Sequence, residues 1–111
     1  MEICLVRHGK ALTIDNDPQE GLSPEGIQEI SFAALGLKRF GMNFDVIISS
    51  LKKRSVMTAQ IISEKLKADP AIMSQTDLVK PSALPEDVFS FLEQFEENSK
   101  VLIVGHLQSK D

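Results

Sequence analysis

The sequence predicts an α/β fold with three layers, α/β/α, around a mostly parallel central sheet. Three observations carry that reading. Short apolar runs at residues 3–6, 46–48 and 101–104 are continuous rather than alternating, as in strands buried on both faces. Between them lie segments with apolar residues at helical spacing. Strand and helix patterns alternate along the chain, and that alternation implies parallel strands joined by helical crossovers.

Taken in order, Ile3-Cys4-Leu5-Val6 forms the first strand and leads into Arg7-His8-Gly9. Residues 9–23 are mostly polar, include Asp15, Asn16, Asp17, Pro18 and Gly21, and read as a long surface loop. Ser23-Pro24-Glu25 starts a helix: a capping serine, a proline suited to the first helical position, and an acid that complements the dipole. Ile27, Ile30, Ala34 and Leu37 recur at helical spacing, and Gly41 is the stop. Phe44 to Ser50 holds the second strand around Val46-Ile47-Ile48. Residues 51–67 form a second helix, with Val56, Ala59, Ile62 and Leu66 on one side. Residues 72–79 hold a third, weaker strand. Pro85-Glu86-Asp87 opens a third helix with Val88, Phe91, Leu92 and Phe95 on one face. Val101 to Val104 is the last strand, running into Gly105-His106.

The 111 residues suit one domain, residues 1–111, and leave no room for two. Apolar residues make up 42% and charged residues 25%, the balance of an ordinary globular domain. A net charge of −4 argues against nucleic acid as a standing partner. The single cysteine, Cys4, cannot form an internal disulfide or a cysteine-rich zinc site, and its apolar surroundings suggest a buried structural residue. Met1-Glu2 supplies no basic region before an apolar stretch, so no signal peptide is expected. No apolar run approaches the roughly 20 residues of a membrane span. A cytoplasmic protein without a membrane partner is the expectation.

Ligands of open α/β sheets bind outside the carboxyl ends of the strands. Three polar clusters fall there: Arg7-His8, then Ser49-Ser50 with Lys52-Lys53-Arg54, then Gly105-His106. If Ser50 caps the second helix, three cations crowd its first turn, the wrong end for the dipole by about 0.3–1 kcal/mol per charge. A bound phosphate resolves that conflict, because helix N-termini and arginine forks both favour anions. Two histidines and two arginines at one sheet edge suit attack on phosphorus, with imidazole as nucleophile and guanidinium groups shielding the phosphate charge. A metal site would need His-x-x-x-His or Glu-x-x-His spacing, and neither occurs.

Four blocks, in order, resemble the histidine phosphatase (phosphoglycerate mutase-like) superfamily. Leu5 to Ala11 resembles its Arg-His-Gly signature. Leu22-Ser23-Pro24-Glu25-Gly26 resembles its Leu-Thr-x-x-Gly helix start. Ile48 to Ala59 resembles its Ser-Pro-x-x-Arg-Ala-x-Gln-Thr-Ala block, and Val104 to Gln108 its Gly-His-x-Pro block. The short chain and the Arg-His-Gly-x-Ala opening look closest to the SixA-type phosphohistidine phosphatases. The resemblance implies that His8 attacks phosphorus and is transiently phosphorylated. Arg7 and Arg54 would clamp the phosphoryl oxygens, Ser50 and Gly9 would join them in binding substrate, and His106 would stabilise the transferring group. It implies no metal and no organic cofactor. The partner it implies is a phosphorylated protein of the histidine phosphotransfer type, or else a small phosphorylated substrate.

Several positions depart from the pattern. Leu51, Met57 and Gln108 stand where proline, glutamine and proline are usual. Leu78-Val79-Lys80-Pro81 does not match the glutamate that many members use as general acid, and only Glu86 and Asp87 are in rough proximity. A phosphoramidate leaves as imidazole and needs less acid assistance than an alkoxide, so this favours phosphohistidine over a sugar-phosphate ester. Members of the family continue with a helix and a further strand, whereas this chain ends at Asp111. The expectation is a C-terminally truncated version of the fold, an incomplete segment, or a short form that pairs as a homodimer. A broad phosphomonoesterase and a non-catalytic phosphate-binding remnant are the competing functions. A flavodoxin-like receiver or nucleotide-binding domain fits less well, because no Gly-x-Gly-x-x-Gly or Gly-Lys-Ser/Thr loop is present.

Overall fold

Parity along the strands decides which helix covers which face. The computed structural model describes residues 1–77 and 85–105, less the side chains of Pro85, Val88 and Phe89. Its strands are β1 (Glu2–Arg7), β2 (Val46–Ser49), β3 (Met73–Gln75) and β4 (Lys100–Gly105). They form one sheet in the order β1-β4-β2-β3, with every neighbouring pair parallel. Helix α1 (Pro24–Arg39) joins β1 to β2, α2 (Lys53–Lys65) follows β2, and α3 (Pro85–Leu92) precedes β4. Leu102 and Val104 of β4 pack with Ile47 of β2 against Ile30 and Ala34 of α1 and Ala59 and Ile62 of α2. Val101 and Ile103, one residue out of phase, pack with Ile48 against Leu92 of α3. The result is the expected three-layer α/β/α sandwich. The chain steps along the sheet through α1 and α2 on one face and returns through α3 on the other, as right-handed crossovers require.

Helix ends follow their sequence signals where a cap is present. Ser23 caps α1, its Oγ accepting the Gly26 N–H at 3.0 Å, and Pro24 takes the first helical position. At the other end Gly41, at φ 70°, closes a Schellman turn in which Met42 N–H reaches Leu37 O at 3.0 Å and Gly41 N–H reaches Lys38 O at 3.0 Å.

Five expectations need correcting. β1 is buried on one face only: Cys4 and Val6 lean on the α1–α2 core, while Ile3 and Leu5 are 42% and 62% exposed because α3 covers β4 and β2 instead. In α1, Ile27 is exposed, off the buried stripe of Gly26, Ile30 and Ala34. In α2 the buried stripe is Ser55, Thr58, Ala59, Ile62 and Ser63, and Val56 turns away from it. That helix starts later than read. Its N-cap is Lys52, without a side-chain cap bond, and Ser50 is not the cap. The third strand spans only Met73–Gln75, and residues 78–79 lie outside the described residues.

Candidate active site

Because the sheet is parallel, the carboxyl ends of β1, β4 and β2 share one edge. His8 N–H donates to Gly105 O at 3.3 Å, and Ser50 N–H donates to Val104 O at 3.1 Å. Consecutive carbonyls of β4 thus hold the ends of β1 and β2 on either side. Arg7 ends β1 in register with Gly105, and its side chain is exposed. His106 follows directly and lies outside the described residues, as does Gln108.

The His8 ring is fixed at both nitrogens. Nδ1 lies 2.8 Å from Gly9 O, and Nε2 lies 3.2 Å from Arg54 Nε. A carbonyl oxygen only accepts and a guanidinium only donates. Nδ1 therefore carries the proton, and Nε2 presents a lone pair. That is the tautomer a nucleophile needs, and it faces the guanidinium that favours an incoming anion. Among the described residues no group of three or more His, Cys, Asp and Glu is placed to hold a metal ion.

The backbone after His8 is clamped by α1 and α2. Gly9 N–H donates to Thr58 Oγ1 at 3.2 Å, and the same hydroxyl donates to Arg54 O at 2.8 Å. One buried hydroxyl on α2 thus ties the backbone beside His8 to the turn that carries Arg54. From α1, Ser23 N–H and Oγ both donate to Lys10 O, at 2.9 and 3.0 Å. Gly26 allows this approach, since a Cβ there would overlap the Lys10 carbonyl oxygen. Thr58 was within the recognised block but carried no assigned role. Its cue is a threonine one turn after Arg54 on the sheet-facing stripe, where a lone hydroxyl must find partners.

Within the cationic first turn of α2, Lys53 Nζ pairs with Asp17 at 2.9 Å, so a carboxylate from the 9–23 loop answers its charge. Asp17 also accepts from Gln19 N–H and Gly21 N–H, each at 3.0 Å. The Lys53 hydrogen bond first, and these backbone donors next, hold its carboxyl down to about 2. Glu25 is lowered chiefly by its own backbone N–H, then by Lys10. Burial pushes the Cys4 thiol up. The loop is therefore anchored, with Ala11 bridged to Leu22 and Leu22 itself buried. Two buried hydroxyls, those of Ser50 and Ser55, have no hydrogen-bond partner among the described residues.

Residues 3–77 match the sequence profile of the histidine phosphatase superfamily, branch 1. The chain belongs to this superfamily. Over 70 residues it is 40% identical to the 2,3-bisphosphoglycerate-dependent phosphoglycerate mutase of Nautilia profundicola, covering 59% of this chain and 31% of that one. The match thus spans about a third of that relative's length. In fold it resembles the protein histidine phosphatase SixA complexed with tungstate, with a TM-score of 0.84, 23% identity, and 96% of this chain on 70% of that one. A SixA protein from Agrobacterium tumefaciens gives 0.78 and 26%, over 94% of this chain and 68% of that one. The phosphoglycerate mutase of Plasmodium falciparum gives 0.63 and 21%, over 94% and 60%.

Proposed function

We propose that this protein removes phosphate from phosphohistidine on a protein, through a covalent phosphohistidine on its own His8. The observation that carries the reading is the fixed ring, with Nδ1–H on Gly9 O and the Nε2 lone pair beside Arg54. Nε2 attacks phosphorus and the P–N bond of the substrate breaks, so the substrate's imidazole leaves and takes up a proton. Arg54 moves from Nε2 to the phosphoryl oxygens, with Arg7 beside it, and offsets the charge that builds up in transfer. Water then attacks phosphorus and loses a proton, the bond to Nε2 breaks, and inorganic phosphate departs. His106, Ser50 and Gly9 are assigned to the phosphoryl-binding side of the site. That a similarly folded SixA phosphatase forms a complex with tungstate, an oxyanion like phosphate, supports the reading.

A second reading, hydrolysis of small alkyl phosphates, draws support from the mutase relative. It requires a proton donor for an alkoxide. Glu86 and Asp87 sit exposed in the first turn of α3, and they are the donors to replace one at a time.

The test is phosphate release from a phosphorylated histidine phosphotransfer protein, with His8→Ala alongside. Release by the wild type and none by the variant is expected. No release from folded wild type would overturn the reading.

A further inference from the structure

Between α2 and the loop before α1 runs an open groove of about 620 Å³. Among the described residues its apolar lining is Leu51, Val56 and Met57, its charged lining is cationic, from Lys52 and Lys53, and Gln19 and Gln60 complete it without charge. The groove begins at the turn of α2 that delivers Arg54 to His8.

Its far wall is held in place. Asp17–Lys53 fastens the loop at one point, and Leu22 N–H on Met57 Sδ, at 3.4 Å, fastens it at another. Lys53 is neutralised by that pairing, whereas Lys52 forms no ion pair among the described residues. Lys52 also sits at the uncapped N-terminus of α2, whose first turn holds no acid, so the dipole adds positive potential there. Leu51 stands beside it, 54% exposed. An unmatched cation and an exposed apolar side chain, next to the phosphate site of a chain with net charge −4, call for an acidic and apolar complement.

We propose that this groove docks an acidic, apolar-faced segment of the phosphoprotein substrate, with Leu51 as apolar anchor and Lys52 as charge partner. The proposal rests on the phosphohistidine reading and adds the surface that would tell a protein substrate from a small one. A small phosphoramidate reaches His8 without entering the groove, so the two substrates separate docking from chemistry.

The experiment compares wild type, Leu51→Glu and Lys52→Glu on phosphoramidate and on a phosphorylated histidine phosphotransfer protein of acidic surface. It adds a binding titration with the unphosphorylated protein at low and high salt. For the protein substrate, KM rises about tenfold in each variant with kcat unchanged, whereas the phosphoramidate KM shifts several-fold less. Binding weakens in parallel and falls with salt. Equal losses on both substrates, unchanged KM in both variants, or salt-independent binding that the variants leave intact would each overturn the docking role. If wild type releases phosphate from neither substrate, the catalytic reading fails, and the titration still decides on the groove.

Discussion

At His8 two hydrogen bonds do separate jobs. The Gly9 carbonyl selects the tautomer, and Arg54 holds a guanidinium against Nε2, where the proposed reaction needs an anion-binding group. Thr58 holds both partners, because its one hydroxyl binds Gly9 N–H and Arg54 O. Thr58→Val keeps the shape and removes both bonds, at about 1 kcal/mol each. It is expected to lower kcat about tenfold with KM little changed, and Thr58→Ser is expected to restore it. Steady-state kinetics on the pair checks this, and a Val variant as active as Ser would contradict it. At Gly26 the added methyl of Ala would strike the Lys10 carbonyl, so Gly26→Ala should destabilise by more than about 2 kcal/mol in denaturant unfolding. His8, Arg7 and Arg54 were legible as a cluster because strand ends bring them to one edge. Thr58 was not, since its role depends on which way α2 faces. The partner of Lys53 was not legible either, since Asp17 lies 36 residues away.

Among the elements, α2 is the least regular and the most informative. It lacks a side-chain cap, opens on cations, and ends with Lys67 at φ 55°, where Lys67 N–H meets Glu64 O and Ala68 N–H meets Ser63 O. This is a Schellman turn with lysine in the glycine position, so Lys67→Gly should stabilise by about 1 kcal/mol. An unchanged thermal midpoint would contradict that. The Asp17–Lys53 latch gives the loop an acid sensitivity. The folded carboxyl titrates near 2 against an ordinary 3.8, so its contribution is complete above the ordinary value and is lost as pH falls through the folded one. Asp17→Asn is therefore expected to flatten the dependence of stability on pH between about pH 5 and 2. A dependence as steep as that of wild type would rule the latch out. The starts of α1 and α3 were legible because serine and proline mark them. The start of α2 was misplaced because Ser50 reads as a cap, whereas its hydroxyl is buried without a partner among the described residues.

For the molecule as a whole, strand–helix alternation was enough to give the layers and the shared edge. It was not enough to give the order β1-β4-β2-β3, nor the open face of β1. Ile3 and Leu5 belong to a continuous apolar run, yet α3 lies over β4 and β2. Periodicity reports that a strand is apolar on both sides and is silent on what covers each. This separation is measurable. Ile103→Ala, in the buried layer under α3, should cost about 2–4 kcal/mol, whereas Leu5→Ser should stay within about 0.5 kcal/mol. A large loss at Leu5 would show that its face is covered in solution. No helix among the described residues is long and apolar enough to cross a membrane.

The central claim is a phosphoryl group on His8 Nε2. Rapid acid-free quenching after mixing with radiolabelled phosphoramidate, followed by peptide mapping, tests it directly. Label is expected on the peptide containing His8, stable to base, labile to acid and absent from His8→Ala. Phosphate release with no labelled protein, or label that persists in His8→Ala, would contradict it.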